Sequence, residues 1–360
     1  MRRPDDLLTG PFRQTRAEID LGRLVRNLGE LKTRIGDDVG VLAVVKADGY
    51  GHGAIPVARA LERAGVLGLA VSLTEEGIEL RRAAIGGLIL VMGGVYGHHE
   101  ILSHGLVPVV SDAADLDAFA RAARALGVRA RIHVKIDTGM SRLGIPPAQV
   151  DSFLAAAARL PEIEIVGVCT HLASADTDPA FTREQLARFD AARRAFPPGL
   201  LVHAANSAAT VEMPAARYDA VRPGLLLYRD VMRLATAVSQ LRDVPAGEPV
   251  SYGGLWRAPG PRRIATLPIG YADGYPRRLT GAGEVLVHGR RCPVVGAVCM
   301  DMTMVDVTDV PGVDVGDEVV LLGAQGRERI TARELADRAG LIEYEITCGV
   351  SKRVPRFYSP

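Results

Sequence analysis

Apolar positions along this chain fall into two textures, and the change comes near residue 230. Before it, short uninterrupted apolar runs recur at 41–46, 68–73, 88–92, 107–111, 132–137, 165–171, 201–206 and 220–224. Runs of this length without polar alternation read as strands covered on both faces, the pattern of a parallel sheet. Helix-period patterns fill most of the gaps, at 54–64, 74–82, 113–126, 147–160 and 183–196. A further helix is expected from Leu21 to Lys32, with Asp20 placed to cap it. Eight strands alternating with helices over roughly 190 residues predict a (β/α)₈ TIM-type barrel, whose usual length is about 250. After Tyr228 the runs shorten and are broken by Gly, Pro and Asp, at 263–267, 284–287, 292–298, 303–307 and 318–322. These predict a mostly antiparallel β domain, interrupted by one helix at 331–339. The expected division is a strand within 1–20 packing on the C-terminal domain, a barrel over 21–231 and a β domain over 232–360.

Composition narrows the class without changing this picture. Lys and Arg number 43 against 42 for Asp and Glu, so nothing pulls the chain toward nucleic acid. The start carries a basic pair but no apolar segment after it, and no later run is long enough for a bilayer; a cytoplasmic protein is expected. Cys169, Cys292, Cys299 and Cys348 stand singly in apolar surroundings without metal spacing, which predicts buried free thiols and no metal site.

The candidate chemistry gathers where strands end. Lys46 closes the first apolar run and is followed by Ala-Asp-Gly-Tyr-Gly-His-Gly. A lysine there either snorkels to solvent or is desolvated, which lowers its pKa and makes the amine a nucleophile. His133-Val-Lys135-Ile-Asp137 leads into Arg142, whose planar fork suits a carboxylate; Lys135 reads equally as the ion-pair partner of Asp137. His171 ends the sixth barrel run. Ser207 follows the seventh, and Gly224 and Leu225 close the eighth, where barrels commonly bind phosphate through amides and a hydroxyl.

Val-Val-Lys-Ala-Asp-Gly-Tyr-Gly-His-Gly, the Lys135–Arg142 block, Ser251-Tyr-Gly-Gly254, Ile269-Gly-Tyr-Ala-Asp-Gly-Tyr-Pro-Arg-Arg278 and Cys299-Met-Asp-Met302 closely resemble motifs of the alanine racemases. The resemblance runs from Ala17 to Arg356. It implies pyridoxal phosphate held by Lys46 as a Schiff base, with Tyr50, Ser207 and the amides of Gly224 and Leu225 on the phosphate. It places His171 in a chain between a catalytic tyrosine and Arg222, and Arg222 on the pyridine nitrogen. An arginine only donates there, so the nitrogen is expected to stay unprotonated and the ring to be a weaker electron sink. The resemblance further implies Arg142 and the Met300 amide on the substrate, a carbamylated Lys135 positioning Arg142, and Asp176, Tyr271 and Arg277 at the entrance. Two bases are implied, Tyr252 for L-alanine and Lys46 for D-alanine, with Tyr252 supplied by the partner in a homodimer, and D-alanine going to peptidoglycan.

One departure stands out: Lys352 occupies a place where some family members carry a tyrosine that touches the phosphate and narrows the entrance. A racemase for serine or a broader range is therefore a rival reading. A non-catalytic pyridoxal-phosphate carrier lacks the β domain that Tyr252 and 270–278 belong to. A basic-amino-acid decarboxylase has an acidic residue where Arg222 stands.

Overall fold

A computed structural model describes residues 13–360. The masked part of the expected 1–20 segment, residues 1–12, lies outside the described residues. The chain forms two units, and each is described by itself.

The first spans Leu24–Gly49 and Gly53–Arg229. After strand β1, Arg16–Asp20, come eight parallel strands that close on themselves: β2 Gly40–Val44, β3 Gly68–Val71, β4 Leu88–Val91, β5 Val107–Val110, β6 Ala130–Lys135, β7 Ile163–Cys169, β8 Leu201–His203 and β9 Ala220–Val221. β9 returns to β2 through Gly40–Ala220 and Val41–Val221. The (β/α)₈ barrel expected from the sequence is present, and its strands are near-continuously apolar because helices cover their outer faces. Every strand is shorter than its apolar run at the C-terminal end. Ala204 and Ala205 are fully buried yet follow β8, so burial there does not mean strand.

The residues after β2 are where the barrel departs furthest from regular structure. Ala47, Asp48 and Gly49 have φ of 51°, 53° and 60°, so the backbone turns left-handed directly after Lys46. Each non-glycine residue in that region costs about 1–2 kcal/mol. Hydrogen bonds hold the turn: Ala47 N–H donates to Glu76 Oε1 at 2.6 Å, Ala54 N–H to Asp48 Oδ1 at 2.7 Å and Gly49 N–H to the Val45 carbonyl at 2.9 Å.

The second unit comprises Asp230–Pro360 with β1 and Tyr50–His52. β1 lies between Met232–Ala237, antiparallel, and Arg356–Ser359, parallel. A separate antiparallel sheet joins Gln240–Val244, Arg262–Leu267 and Thr303–Asp306. The expected strand at 292–298 is cut to Arg290–Pro293, with only Val294 making a further bridge, to Val305. A second helix, Glu343–Cys348, follows Ala332–Ala339 where only one was expected; at six residues it is too short to show helical periodicity. The cysteine expectation holds for Cys169 and Cys292, but Cys299 is half-buried and Cys348 exposed.

Gly51 is pinned within this unit. Its φ is +82°, and a Cβ there would meet the Thr347 carbonyl oxygen at 2.1 Å. Gly51→Ala combines a left-handed penalty with a backbone clash, so it is expected to lower unfolding stability by about 3 kcal/mol or more. Urea denaturation followed by circular dichroism measures this; a loss below about 1 kcal/mol would show that the loop gives way freely.

Candidate active site

In the barrel unit the structure gathers cations at the C-terminal ends of the strands. Burial and four neighbouring positive groups, Arg222, Lys135, Arg142 and Lys46, push the His171 pKa down to about 3, so these five side chains share one neighbourhood. Lys135 is buried at 7% exposure and its pKa is lowered, first by desolvation. Asp137 raises it but forms no ion pair with it among the described residues. One Asp137 oxygen instead accepts the amides of Gly139, Met140 and Ser141 at 3.0–3.1 Å, fixing the loop that leads to Arg142. Lys135 as the ion-pair partner of Asp137 is thereby corrected.

Lys46 itself is exposed, two residues past the end of β2. Its exposure fits the sequence reading in which the lysine reaches solvent, and the left-handed turn begins with the next residue.

Arg222 is almost wholly buried, at 4% exposure. Its guanidinium donates to the carbonyls of Thr170 at 2.6 Å and Ala204 at 2.8 Å, and to Nδ1 of His203. A guanidinium has only donors, so His203 Nδ1 accepts and its proton sits on Nε2. That proton is donated to His133 Nδ1 at 2.8 Å, which leaves the His133 proton on Nε2. Burial lowers the Arg222 pKa, and among the described residues no carboxylate forms an ion pair with it. No hydrogen bond joins it to His171 among the described residues; the two interact through charge alone. The sequence reading assigned no role to His203 or His133. The available signal was strand parity, since His133 and Lys135 lie two apart on β6 and share the inward face.

Both imidazoles are neutral in the fold: burial takes His133 to about 3 and His203 well below its ordinary value. The unfolded chain binds protons near pH 6.5 where the folded chain does not, so stability rises with pH through this window. It is lost as pH falls from about 6.5 toward about 3, at up to about 1.4 kcal/mol per pH unit for each histidine. His133→Gln is expected to flatten that slope by about one histidine's share, measured as urea unfolding free energy between pH 7 and pH 5. An unchanged slope would contradict a neutral His133.

Ser207 opens the helix Ser207–Glu212, and its Oγ accepts the amide of Gly224 at 2.9 Å and that of Leu226 at 3.4 Å. Asn206 caps the same helix through Ala209 N–H at 3.0 Å. Ser207 and Gly224 thus meet beyond β8 and β9, and the second amide on Ser207 is that of Leu226, not the Leu225 amide named from the sequence. Asp176 is exposed in the loop after β7.

The β unit holds the remaining candidates. Tyr252 is 75% exposed and follows Ser251, whose φ is +68°. Ser251 Oγ donates to the Ala297 carbonyl at 2.8 Å and lies 3.3 Å from Cys299 Sγ. Tyr271 N–H donates to the Cys299 carbonyl at 3.0 Å, beside the exposed Met300. Tyr252, Tyr271 and Met300 are therefore hung on one backbone scaffold. Arg277 and Lys352 are exposed. Tyr50 belongs to this unit and is buried, with its ring 5.7 Å from that of Tyr344.

Two family models cover the chain: Alanine racemase, N-terminal domain, over residues 19–231, and Alanine racemase, C-terminal domain, over 231–358. An alanine racemase of Sorangium cellulosum is 45% identical, over 96% of this chain and 99% of that protein. The crystal structure of alanine racemase from D-cycloserine-producing Streptomyces lavendulae matches with a TM-score of 0.92 and 36% identity, covering 98% of each chain. That of Bartonella henselae, described with covalently bound pyridoxal phosphate, matches with a TM-score of 0.88 and 28% identity over 97% of this chain and 100% of that one. With likeness running the full length of both units, and through the strand ends that carry the cations and the scaffold that carries Tyr252, the chain belongs to the alanine racemase family.

Proposed function

We propose that this protein interconverts L- and D-alanine with pyridoxal phosphate, using Lys46 and Tyr252 as its two bases. The observation that carries this reading is the cup of Lys46, Lys135, Arg142 and Arg222 around a neutral His171. Such an excess of cations suits a phosphate and a carboxylate together. The donor set fits the cofactor as well: Ser207 and the amides of Gly224 and Leu226 converge beyond β8 and β9, where barrels commonly bind phosphate.

Lys46 would hold the cofactor through its amine, while Ser207, Gly224, Leu225 and Tyr50 would hold its phosphate. Arg222 would face the pyridine nitrogen as a donor, its orientation fixed by His203 and two carbonyls. Pyridoxal phosphate, when bound, supplies an electron sink that acidifies the α-proton of an amino acid. Arg142 and the Met300 amide orient the substrate carboxylate. Burial lowers the pKa of Lys135 and so raises its share of free amine, the form that carbon dioxide carbamylates; the resulting anion would hold Arg142 in place. Tyr252 carries a proton on one face of the α-carbon and Lys46 on the other. Asp176, Tyr271 and Arg277 line the entrance.

In this reading residues 21–231 are the cofactor barrel and 232–360 supply the second base. Tyr252, Leu255, Met300 and Met302 are each more than half exposed in a single chain, which favours a homodimer that covers them and shares its active sites. No helix among the described residues is long and apolar enough to cross a membrane. The place proposed for the enzyme is the cytoplasm, and the use of its product is peptidoglycan.

A chirally resolved time course of the cofactor-loaded protein tests the reading. Either enantiomer of alanine is expected to reach the racemic mixture, with serine slower. Bound cofactor with alanine unchanged would overturn it in favour of a carrier, and serine turned over faster than alanine would favour the broader racemase that Lys352 raises.

A further inference from the structure

Asp273 is fully buried, and it lies at the centre of the segments that carry Tyr271, Met300 and Lys352. Its main partner comes from the other end of the chain. Arg13 Nη2 lies 2.5 Å from Oδ1 and Nη1 lies 2.9 Å from Oδ2, a fork on a carboxylate. The same guanidinium donates to the carbonyls of Pro268 at 3.0 Å and Arg353 at 3.2 Å. Asp273 Oδ2 also accepts the Gly270 amide at 3.0 Å, and the Asp273 carbonyl accepts Ser351 N–H at 3.0 Å. Arg353 approaches Oδ1 only to 3.5 Å, its fork being turned to Asp301 at 2.7 Å.

The backbone around this carboxylate has no slack. A Cβ on Gly270 would meet the carbonyl oxygens of Cys299 at 2.3 Å and Met300 at 2.4 Å, so the two segments are stacked directly on each other. Tyr271 and Ala272 donate to those carbonyls at 3.0 Å. Through Ser251 the Tyr252 turn leans on Ala297 and Cys299. A displacement at Asp273 must therefore pass to Tyr271, Met300 and the Tyr252 turn, since close-packed backbone transmits strain.

From this we infer that Arg13 is a positioning residue for the reaction: by neutralising buried Asp273 it fixes the scaffold that presents Tyr252, Tyr271 and the Met300 amide. The one other cation on this carboxylate among the described residues is Arg353, at 3.5 Å and with its Nη2 held by Asp301. Without Arg13, Asp273 keeps one amide and that single longer ion pair, and a poorly compensated buried charge draws its surroundings open. The inference rests on the two-base reading above, because it assigns the damage to Tyr252's face alone.

The test is α-proton exchange in deuterated water, run with each enantiomer on the cofactor-loaded full chain. For Arg13→Ala, exchange from L-alanine is expected to fall about tenfold, the scale of a small misplacement, while exchange from D-alanine and the cofactor absorbance stay near wild type. Arg13→Lys supplies charge without the fork and is expected to fall between the two; it also decides the matter if Arg13→Ala does not fold. An equal loss from both enantiomers would reduce Arg13 to a stabilising residue, and no loss would also overturn the inference. A wild-type protein that exchanges neither enantiomer would instead overturn the two-base reading.

Discussion

Lys46→Ala is expected to lower racemisation by at least about 10⁴-fold, at the upper end of what one acid–base group contributes, because it removes both a base and the cofactor's anchor. The geometry explains why no neighbour substitutes. Lys46 stands directly before a left-handed turn held by Glu76 and Asp48, so its position is set by backbone that Lys135 does not share. Lys135 is buried on β6 and cannot follow it out. The cradle of Ser207 and Gly224 is untouched by the substitution, so cofactor affinity should weaken without vanishing. Added methylamine, supplying the missing amine, should return part of the activity. Chiral chromatography of alanine reads the rate and circular dichroism checks the fold; a variant that keeps more than about 1% of wild-type activity without added amine would show that another base operates.

Tyr252→Phe is expected to cost about 10³-fold, within the range for deleting a positioned proton carrier. The ring remains, so packing at this exposed site changes little; only the hydroxyl is lost. Racemisation of alanine has an equilibrium constant of one, so both net directions must slow together whichever face is damaged. The shared-site reading adds a sharper expectation. Mixing Lys46→Ala with Tyr252→Phe chains lets a hybrid dimer assemble one site with Lys46 from one subunit and Tyr252 from the other. Activity should then exceed that of either variant alone by more than about tenfold. If the mixture shows only the average of its parents, each site is built from one chain.

The barrel was legible because its strands are covered on both faces, and eight apolar runs have no cheaper explanation. Their ends were not legible. Val45 and Ala204 are as apolar as the strands they follow, but hydrogen bonding stops where loops must carry function. A strand within 1–20 was expected to pack on the C-terminal domain; the two strands that flank β1 lie more than 200 residues away, and no local pattern names them. The turn after Lys46 was marked by its glycines, yet the left-handed Ala47 and Asp48 could not be read from residues that prefer other conformations.

The site divided along the same line. Lys135, Arg142, His171 and Arg222 were named from strand-end motifs, and the structure brings them together. His203 and His133 were missed because their role lies in a contact across the barrel, seventy residues apart in sequence. Arg13 was missed for the same reason on a larger scale, its carboxylate partner being 260 residues away. For Lys46 the sequence left two readings open, an amine reaching solvent or a desolvated one, and its exposure fits the first.

The central claim is that two different groups serve the two faces of the α-carbon. Proton NMR of the cofactor-loaded Tyr252→Phe enzyme in deuterated water, with L-alanine and D-alanine in separate tubes, tests it most directly. The account predicts that the α-proton of D-alanine continues to wash out, because Lys46 still reaches it, while that of L-alanine persists about 10³ times longer than in wild type. Equal retention or equal loss of the two α-protons would contradict the assignment of Tyr252 to the L-face.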